Sequence, residues 1–166
     1  PLDIVGDRYE KGECFLPQLI NSANAACKGF DAVKEKMAKK GVGSISKGKI
    51  LIATVKGDIH DIGKNIVKVV LENYGYELYD LGRDVPPEEI LETAVREDIR
   101  LIGLSALMTT TVKSMAETVA LLKANHNCKI WVGGAVLTPE YAREMGADYY
   151  AKDAKQSVDI AKEVLG

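Results

Sequence analysis

The sequence is poor in the residues that build most protein metal sites. Among its 166 residues are only two histidines, His60 and His126, and three cysteines, none in a Cys-x-x-Cys pair. A site built from several histidines is therefore excluded. Cys14, Cys27 and Cys128 are odd in number and far apart in the sequence, which is typical of free thiols in a reducing compartment. We therefore expect a cytoplasmic protein.

Other absences narrow the class of protein further. The sequence contains neither an apolar run of membrane-spanning length nor a signal-peptide pattern. The formal net charge is only −2, and the two signs are interspersed, so we expect no nucleic-acid partner and no membrane partner. The chain begins at Pro1 without an initiator methionine, and we expect a fragment or a processed product.

From Lys49 onward, the pattern of apolar residues alternates between strands and helices. The short apolar strands, such as Leu101–Ser105, have the composition of strands buried on both faces, which is typical of a parallel sheet in a doubly wound α/β fold. Right-handed crossovers favour a five-strand, Rossmann- or flavodoxin-like order 2-1-3-4-5. The predicted strands are Lys49–Val55, Glu77–Asp80, Leu101–Ser105, Lys129–Val132 and Asp148–Tyr150. The predicted helices lie near Gly63–Tyr74, Pro87–Glu97, Thr110–Ala124, Pro139–Met145 and Ala154–Leu165.

The first 43 residues show no strand pattern. Apolar residues at helical spacing predict a helix over Phe15–Lys39, after a short helical segment around Asp3–Tyr9. Gly41–Ser44 has the composition of a linker. Since two helices cannot close a bundle alone, we expect a partial helical domain at 1–43 and an α/β domain at 44–166.

The chemistry of the chain centres on Gly57–Gly63. Asp58-x-His60-x-x-Gly63 follows the first predicted strand and precedes a helix, where ligands bind in open α/β sheets. A histidine beside an acidic residue is a candidate metal ligand with a hydrogen-bond partner at hand. Any metal held there must bring most of its ligands with it. Hydroxyl-bearing and small residues follow the other predicted strands, at Ser105–Thr111, Gly133–Ala135 and Ala151–Ala154. Because small residues let a ligand approach the backbone closely, this edge of the sheet is predicted to form a deep slot.

Several familiar sites do not fit this chain. The sequence lacks the Gly-x-Gly-x-x-Gly of dinucleotide-binding proteins, a P-loop and a Gly-x-Ser-x-Gly nucleophile elbow. Ser105 occupies the place where a phospho-acceptor receiver domain has aspartate. A hydrolase triad of Ser105, His60 and Asp58 has poor geometry, because two of its members lie two residues apart on one loop. Simpler interpretations remain open, with Asp58 as a helix cap, Gly133-Gly134 as a tight turn and Lys152 as a surface charge.

Three motifs together carry a family resemblance. Asp58-x-His60-x-x-Gly63, Ser105-x-Leu107 and Gly133-Gly134 resemble, in order and spacing, the cobalamin-binding signature. The segment Val5–Lys40 is similar to the end of the helical domain that precedes this module in methionine synthase and in the corrinoid proteins of anaerobic methyltransferase systems. In that family the helical domain is a four-helix bundle over the upper face of the corrin, and only about its last half is present here.

The resemblance implies a role for each residue of the motifs. His60 would be the lower axial ligand to the corrin cobalt, Asp58 would accept a hydrogen bond from the other ring nitrogen, and Thr111 would extend this relay. Other residues would contact the corrin or the displaced nucleotide tail. The complete set of implied cofactor-binding residues is Gly57, Asp58, Ile59, His60, Asp61, Gly63, Ser105, Leu107, Thr109, Thr111, Gly133, Gly134 and Ala154.

The resemblance also implies a function. The protein would carry a methyl group on the cobalt of cobalamin or a related corrinoid, without catalysis of its own. Its partners would be a methyl-donor-specific methyltransferase, an acceptor methyltransferase and a reductive activase. One alternative is the cobalamin subunit of an adenosylcobalamin-dependent isomerase, although that class usually lacks a segment like Val5–Lys40. The other alternative is a cobalamin-sensing regulator, which usually carries a DNA-binding region that this sequence does not show.

Overall fold

The computed structural model describes residues 46–166 without a gap. Before them it describes residues 4, 5, 8, 9, 11–15, 17, 18, 21, 22, 25 and 28. Of these earlier residues, 4, 5, 8, 9, 17, 18, 21, 22, 25 and 28 are helical, in agreement with the predicted helices at Asp3–Tyr9 and Phe15–Lys39. The remainder of those two helices, the linker Gly41–Ser44 and the packing of a helical bundle lie outside the described residues.

A five-stranded parallel sheet forms the centre of the fold. The strands are β1 (Lys49–Thr54), β2 (Glu77–Asp80), β3 (Leu101–Ser105), β4 (Lys129–Gly133) and β5 (Tyr149–Tyr150). Their spatial order is β2-β1-β3-β4-β5, and every neighbouring pair is parallel. The predicted order is therefore confirmed, and the carboxyl ends of the strands share one edge.

Five helices connect and follow the strands. They are α1 (Ile62–Asn73), α2 (Pro87–Arg96), α3 (Val112–Asn125), α4 (Pro139–Glu144) and α5 (Ala154–Leu165). Local chemistry sets several of their starts: Pro87 and Pro139 occupy first-turn positions, and the Asp153 carboxylate caps α5 by accepting a hydrogen bond from the Gln156 N–H at 2.9 Å. Within the described part of the chain, no helix is long and apolar enough to cross a membrane.

The helices cover both faces of the sheet, as a doubly wound fold requires. On one face, Leu71 of α1 and Val158 of α5 are fully buried against the sheet. On the other face, Ile90 of α2 and Met115 of α3 are equally buried, with Ala142 of α4 beside them. Each fully buried side chain of this size contributes roughly 1.5–3 kcal/mol relative to exposure. These two apolar layers hold the sheet in place, and the predicted motifs lie at the edge formed by the carboxyl ends of its strands.

The predicted bounds of β2, β3 and α5 are confirmed, and those of the other elements differ from the observed ones by one or two residues at one or both ends. β1 ends at Thr54, because Val55 pairs only with Val85 in an isolated bridge. β4 runs one residue further than predicted, to Gly133. α3 begins at Val112 and not at Thr110, because Thr109–Thr111 form a single 3₁₀ turn ahead of it. That turn determines which threonine faces the site.

Candidate functional site

A cleft opens between α1 and α5 at the carboxyl ends of β1, β3, β4 and β5. Its volume is about 510 Å³, within the range in which proteins bind cofactors and other small molecules. His60, Ser105, Gly134 and Lys152 line it, one from the end of each of these strands. The convergence predicted from the sequence therefore occurs, and it produces a slot.

Small residues near the carboxyl ends of β3, β4 and β5 leave room for the cleft. Successive residues of a strand point to opposite faces of the sheet. Gly103 and Ser105 of β3, Gly133 of β4 and Ala151 after β5 all line the cleft, and none has a side chain larger than a hydroxymethyl group. Gly133 also has little room to spare, since a Cβ there would lie 2.9 Å from the Ala151 carbonyl oxygen.

The Asp58 carboxylate is the most heavily hydrogen-bonded group beside the cleft, and it is fully buried. Its Oδ1 accepts from the backbone N–H of His60 at 2.9 Å. Its Oδ2 accepts from the N–H of Leu107 at 2.7 Å, the N–H of Met108 at 3.3 Å and the hydroxyl of Thr111 at 3.0 Å. One carboxylate thus joins the loop after β1 to the loop after β3.

These bonds keep Asp58 ionised. Burial alone would raise the pKa of this carboxyl. The hydrogen bonds from the backbone of His60 and Leu107, the His60 ring and the Thr111 hydroxyl outweigh that effect and hold the pKa well below its usual range. At neutral pH, Asp58 is therefore an acceptor only.

His60 takes its orientation from this carboxylate. Its Nδ1 lies 2.8 Å from Asp58 Oδ1. Because an ionised carboxylate only accepts, Nδ1 carries the hydrogen of this bond, so in the neutral ring the lone pair lies on Nε2. The side chain is 45% exposed and lines the cleft. Nε2 has no hydrogen-bond partner among the residues that the structure describes. The site therefore offers one oriented nitrogen atom, Nε2 of His60, that could serve as a metal ligand.

The turn that carries His60 is held by a residue that the sequence did not single out. Gly57 has a φ of 85° and Asp84 a φ of 55°, the left-handed region in which residues other than glycine are uncommon. The Gly57 N–H donates to Asp84 Oδ1 at 2.7 Å, and the Asp84 N–H donates to the Asp58 carbonyl at 2.9 Å. These two reciprocal bonds fix the chain just ahead of His60.

Asp58 does not act as the cap of α1. The N-cap residue of α1 is Asp61, whose side chain makes no capping hydrogen bond. The carboxylate of Asp58 instead bonds within its own turn and across to the loop after β3. The helix-cap interpretation is therefore wrong, and the predicted pairing of Asp58 with the histidine ring is present in the structure.

The other predicted residues fall into three groups. Those that line the cleft are His60, Gly63, Ser105, Leu107, Gly133, Gly134 and Ala154. Asp58 and Thr111 lie behind the His60 ring and are buried. Gly57, Ile59, Asp61 and Thr109 do not line the cleft, and the Ile59 side chain is exposed. Cofactor contacts for this last group stay a prediction.

Sequence reasoning missed several residues of the cleft. Trp131 and Gly103 line its inner part, Lys64 lines the side formed by α1, and Tyr9 reaches it from the N-terminal segment. Trp131 has the appearance of an ordinary core residue in an apolar strand. The signal that was available is Gly103, because a glycine inside a buried strand often marks a close approach by another group.

A buried ion pair anchors the helix that follows His60. The Lys64 side chain is only 3% exposed and forms an ion pair with Asp80 at the end of β2. Asp80 also pairs with Lys68 at 3.2 Å and accepts a bond from the Gly82 N–H at 3.0 Å. Burial raises the pKa of Asp80, but these contacts, led by that with Lys64, lower it overall. α1 is thus tied to the sheet beside the cleft.

Fold and site together define a class of protein. The described residues contain no group of three or more His, Cys, Asp and Glu side chains that could hold a metal ion. A single imidazole nitrogen at the wall of a slot, on a sheet of order 2-1-3-4-5, agrees with what the resemblance to cobalamin-binding modules implies.

Comparison with known proteins identifies the family. Residues 48–159 match the B12 binding domain, and residues 2–34 match a second model described as a B12 binding domain. The chain belongs to the B12-binding domain family. It is 43% identical to dimethylamine corrinoid protein 3 of Methanosarcina mazei, over 97% of this chain and 98% of that protein.

Two solved structures share the fold. A cobalamin-binding protein from Desulfitobacterium hafniense superimposes with a TM-score of 0.85 at 33% identity, covering 99% of this chain and 78% of that one. The methanol:cobalamin methyltransferase complex MtaBC from Methanosarcina barkeri also gives a TM-score of 0.85, at 32% identity, covering 99% of this chain and 63% of the matched chain. Both agree with the architecture predicted from the sequence.

Proposed function

We propose that this protein is a corrinoid carrier that holds a methyl group between a donor methyltransferase and an acceptor methyltransferase. The observation that carries the proposal is the Asp58–His60 pair, with an oriented Nε2 beside the cleft. Relatives named as dimethylamine corrinoid proteins and as a cobalamin-binding protein support it.

The residues present fit a corrinoid. Such a group would bring most of the metal's ligands with it, so one further ligand from the protein would suffice, and His60 is the one histidine at the cleft. The cleft of about 510 Å³ beside that histidine suits a nucleotide tail displaced from cobalt. Ile59 and Ile62, both well exposed next to His60, offer an apolar surface to the rim of a large ring. When bound, the corrinoid supplies the cobalt that takes up and releases the methyl group.

The chain's own residues would hold and orient the side chain that binds the metal. The ionised Asp58 accepts a hydrogen bond from Nδ1 of His60 and so leaves Nε2 as the nitrogen that would hold the metal. The Thr111 hydroxyl lies 3.0 Å from Oδ2 of the same carboxylate and stabilises its charge.

The partners proposed from the sequence are a methyl-donor-specific methyltransferase, an acceptor methyltransferase and a reductive activase. The first has support in the MtaBC complex from Methanosarcina barkeri, which is a methanol:cobalamin methyltransferase complex. Dimethylamine and methanol are therefore the first two donors to assay with candidate methyltransferases. We place this exchange in the cytoplasm, where free thiols such as Cys14 and Cys128 stay reduced.

The proposal is tested by the visible spectrum of the loaded protein. Wild type should bind methylcobalamin or hydroxocobalamin with its own base displaced and histidine on cobalt. His60→Ala should bind more weakly, or should show the spectrum of base-on cofactor. His126→Gln is the matched control, because the only other histidine bonds to the Ile99 carbonyl through its own ring. Equal spectra and affinities for wild type and His60→Ala would sink the assignment, and a clear preference for adenosylcobalamin would favour the isomerase alternative.

A further inference from the structure

We propose that Trp131 forms the end wall of the slot for the cofactor's nucleotide and sets the size of the lower base that this chain accepts. The proposal rests on the corrinoid binding proposed above. It concerns the buried part of the cleft that Trp131 and Gly103 line.

Trp131 lies where the cleft meets the core. It is only 3% exposed, yet it lines the cleft together with Ile52 of β1 and Val67 of α1. It belongs to the same buried layer as Leu101 and Val158, both fully buried between the sheet and the helices. The indole is thus the last large side chain that a ligand meets before the packed interior.

The position of the indole depends on Gly103 of the neighbouring strand. Gly103 and Trp131 are register partners in the β3–β4 pair. A Cβ built at Gly103 would lie 2.1 Å from Cζ2 of the indole, far inside van der Waals contact. The ring therefore lies directly over the bare backbone of β3, and it does so only because residue 103 has no side chain.

This arrangement suits a flat heteroaromatic base. The walls near the indole are apolar or small, with Ile52, Val67 and Ala151 beside it. Aromatic rings favour contact with one another beyond the area that they bury. Because Trp131 closes the slot, a short base is accommodated and a longer fused-ring base meets the indole. Replacing Trp131 with a smaller side chain should extend the slot and change which base fits best.

The test compares cobamides that differ only in the lower base. Dissociation constants are measured for cobinamide, which has no nucleotide, for cobalamin and for a cobamide with the longer naphthimidazole base. Relative to wild type, Trp131→Leu should shift the ratio of naphthimidazolyl-cobamide affinity to cobalamin affinity by about tenfold in favour of the longer base. Cobinamide affinity should be unchanged, because cobinamide does not enter the slot.

Gly103 supplies the reciprocal variant. Gly103→Ala should push the indole into the slot and weaken cobalamin binding, while cobinamide binding is retained. Gly103→Ala with Trp131→Leu should restore cobalamin binding, since the clash is gone. Trp131→Phe, which keeps an aromatic ring, serves if the leucine variant does not fold. If these changes alter cobinamide and cobalamin affinity in parallel, Trp131 is a packing residue and the inference is wrong.

A measurement on wild type avoids the folding question. Trp131 is the only tryptophan of the chain, so its fluorescence reports one site. Free 5,6-dimethylbenzimidazole ribotide, which carries no corrin, should quench this emission in a saturable way. Absence of quenching while cobalamin and cobinamide still bind would overturn the Trp131 assignment alone. Failure of wild type to bind either corrinoid would overturn the proposed function itself.

Discussion

Nδ1 of His60 and Oδ1 of Asp58 lie 2.8 Å apart, although the histidine side chain is 45% exposed and the aspartate is fully buried. The contact therefore spans the boundary between the cleft and the interior. Its inner end is fixed by the loop after β3, through bonds to Leu107 and Thr111. The orientation of a cleft residue is thus set from within the fold.

Asp58→Asn should destabilise the protein even without cofactor. In the wild type, both carboxylate oxygens of Asp58 accept hydrogen bonds, from the N–H groups of His60 and Leu107 among others. In asparagine one of these oxygens is replaced by an NH₂ group, which donates and cannot accept. A buried donor left without an acceptor costs about 1–3 kcal/mol in the free energy of unfolding, which urea denaturation measures. Asp61→Asn is the control, since the Asp61 side chain makes no capping bond, and it should change stability by less than about 0.5 kcal/mol. Equal losses in both variants would contradict this account.

Acid should weaken the fold in part through Asp58. The pKa of this carboxyl is lower in the folded protein than its ordinary value of 3.8. Its contribution to stability is therefore complete above that ordinary value and is lost as the pH falls towards the folded pKa. Unfolding free energies measured between neutral pH and pH about 2 should fall less steeply for Asp58→Asn than for wild type. Asp80 and Asp148, whose pKa values are also lowered, should maintain a residual slope. Identical slopes would show that Asp58 has no such role.

Thr111 should tolerate loss of its methyl group better than loss of its hydroxyl. The hydroxyl has one hydrogen and two acceptors within reach, Asp58 Oδ2 at 3.0 Å and the Met108 carbonyl at 2.8 Å. Thr111→Val removes the hydroxyl hydrogen that these two acceptors share and should cost about 1 kcal/mol in stability. Thr111→Ser keeps the hydroxyl and should retain the wild-type affinity for corrinoid. A serine variant as impaired as the valine variant would indicate that packing of the methyl group matters instead.

Two glycines of the cleft should respond to alanine in opposite ways. A Cβ at Gly134 would lie 1.7 Å from the Ala106 carbonyl oxygen, at a φ of 142° that other residues rarely adopt. Gly134→Ala should therefore severely destabilise the apoprotein in thermal denaturation. A Cβ at Gly63 meets no atom within 4 Å, and alanine there should raise the helix stability of α1 by up to about 1 kcal/mol.

The same Gly63→Ala variant should bind corrinoid less tightly, because its methyl group enters the cleft. Loss of binding without loss of stability would separate a ligand-facing glycine from a structural one. If Gly63→Ala bound cobalamin as wild type does, the region around Gly63 would not be in contact with the cofactor.

The fold was predictable because its signals are local. Short apolar strands such as Leu101–Ser105 and the alternating helices determine a doubly wound sheet, and handedness then limits the strand order. The core of the site was predictable for a similar reason. Asp58 and His60 are two residues apart, so one turn brings them into contact.

The remaining features depend on contacts between distant parts of the chain. Asp84 lies 27 residues after Gly57 and accepts a hydrogen bond from its N–H, which supports the turn that carries His60. The left-handed backbone conformation of Asp84 could not be predicted from the residues around it. Trp131 becomes part of the cleft only because β4 lies beside β3 with Gly103 opposite it. The inward position of Thr111, as opposed to the exposed Thr109, depends on the 3₁₀ turn that precedes α3.

The gap between α1 and α5 leaves part of one core layer unfilled in the protein by itself. Ser105 and Ala151, which line this gap, bury less apolar surface than larger side chains at the same positions would. A ligand that occupies the gap in the folded chain, and not in the unfolded one, stabilises the fold by about 2.7 kcal/mol when its concentration is a hundred times its Kd. Folding of the chain and binding of the ligand are thus linked equilibria. The melting temperature of the protein therefore rises with the fraction of clefts that contain the ligand.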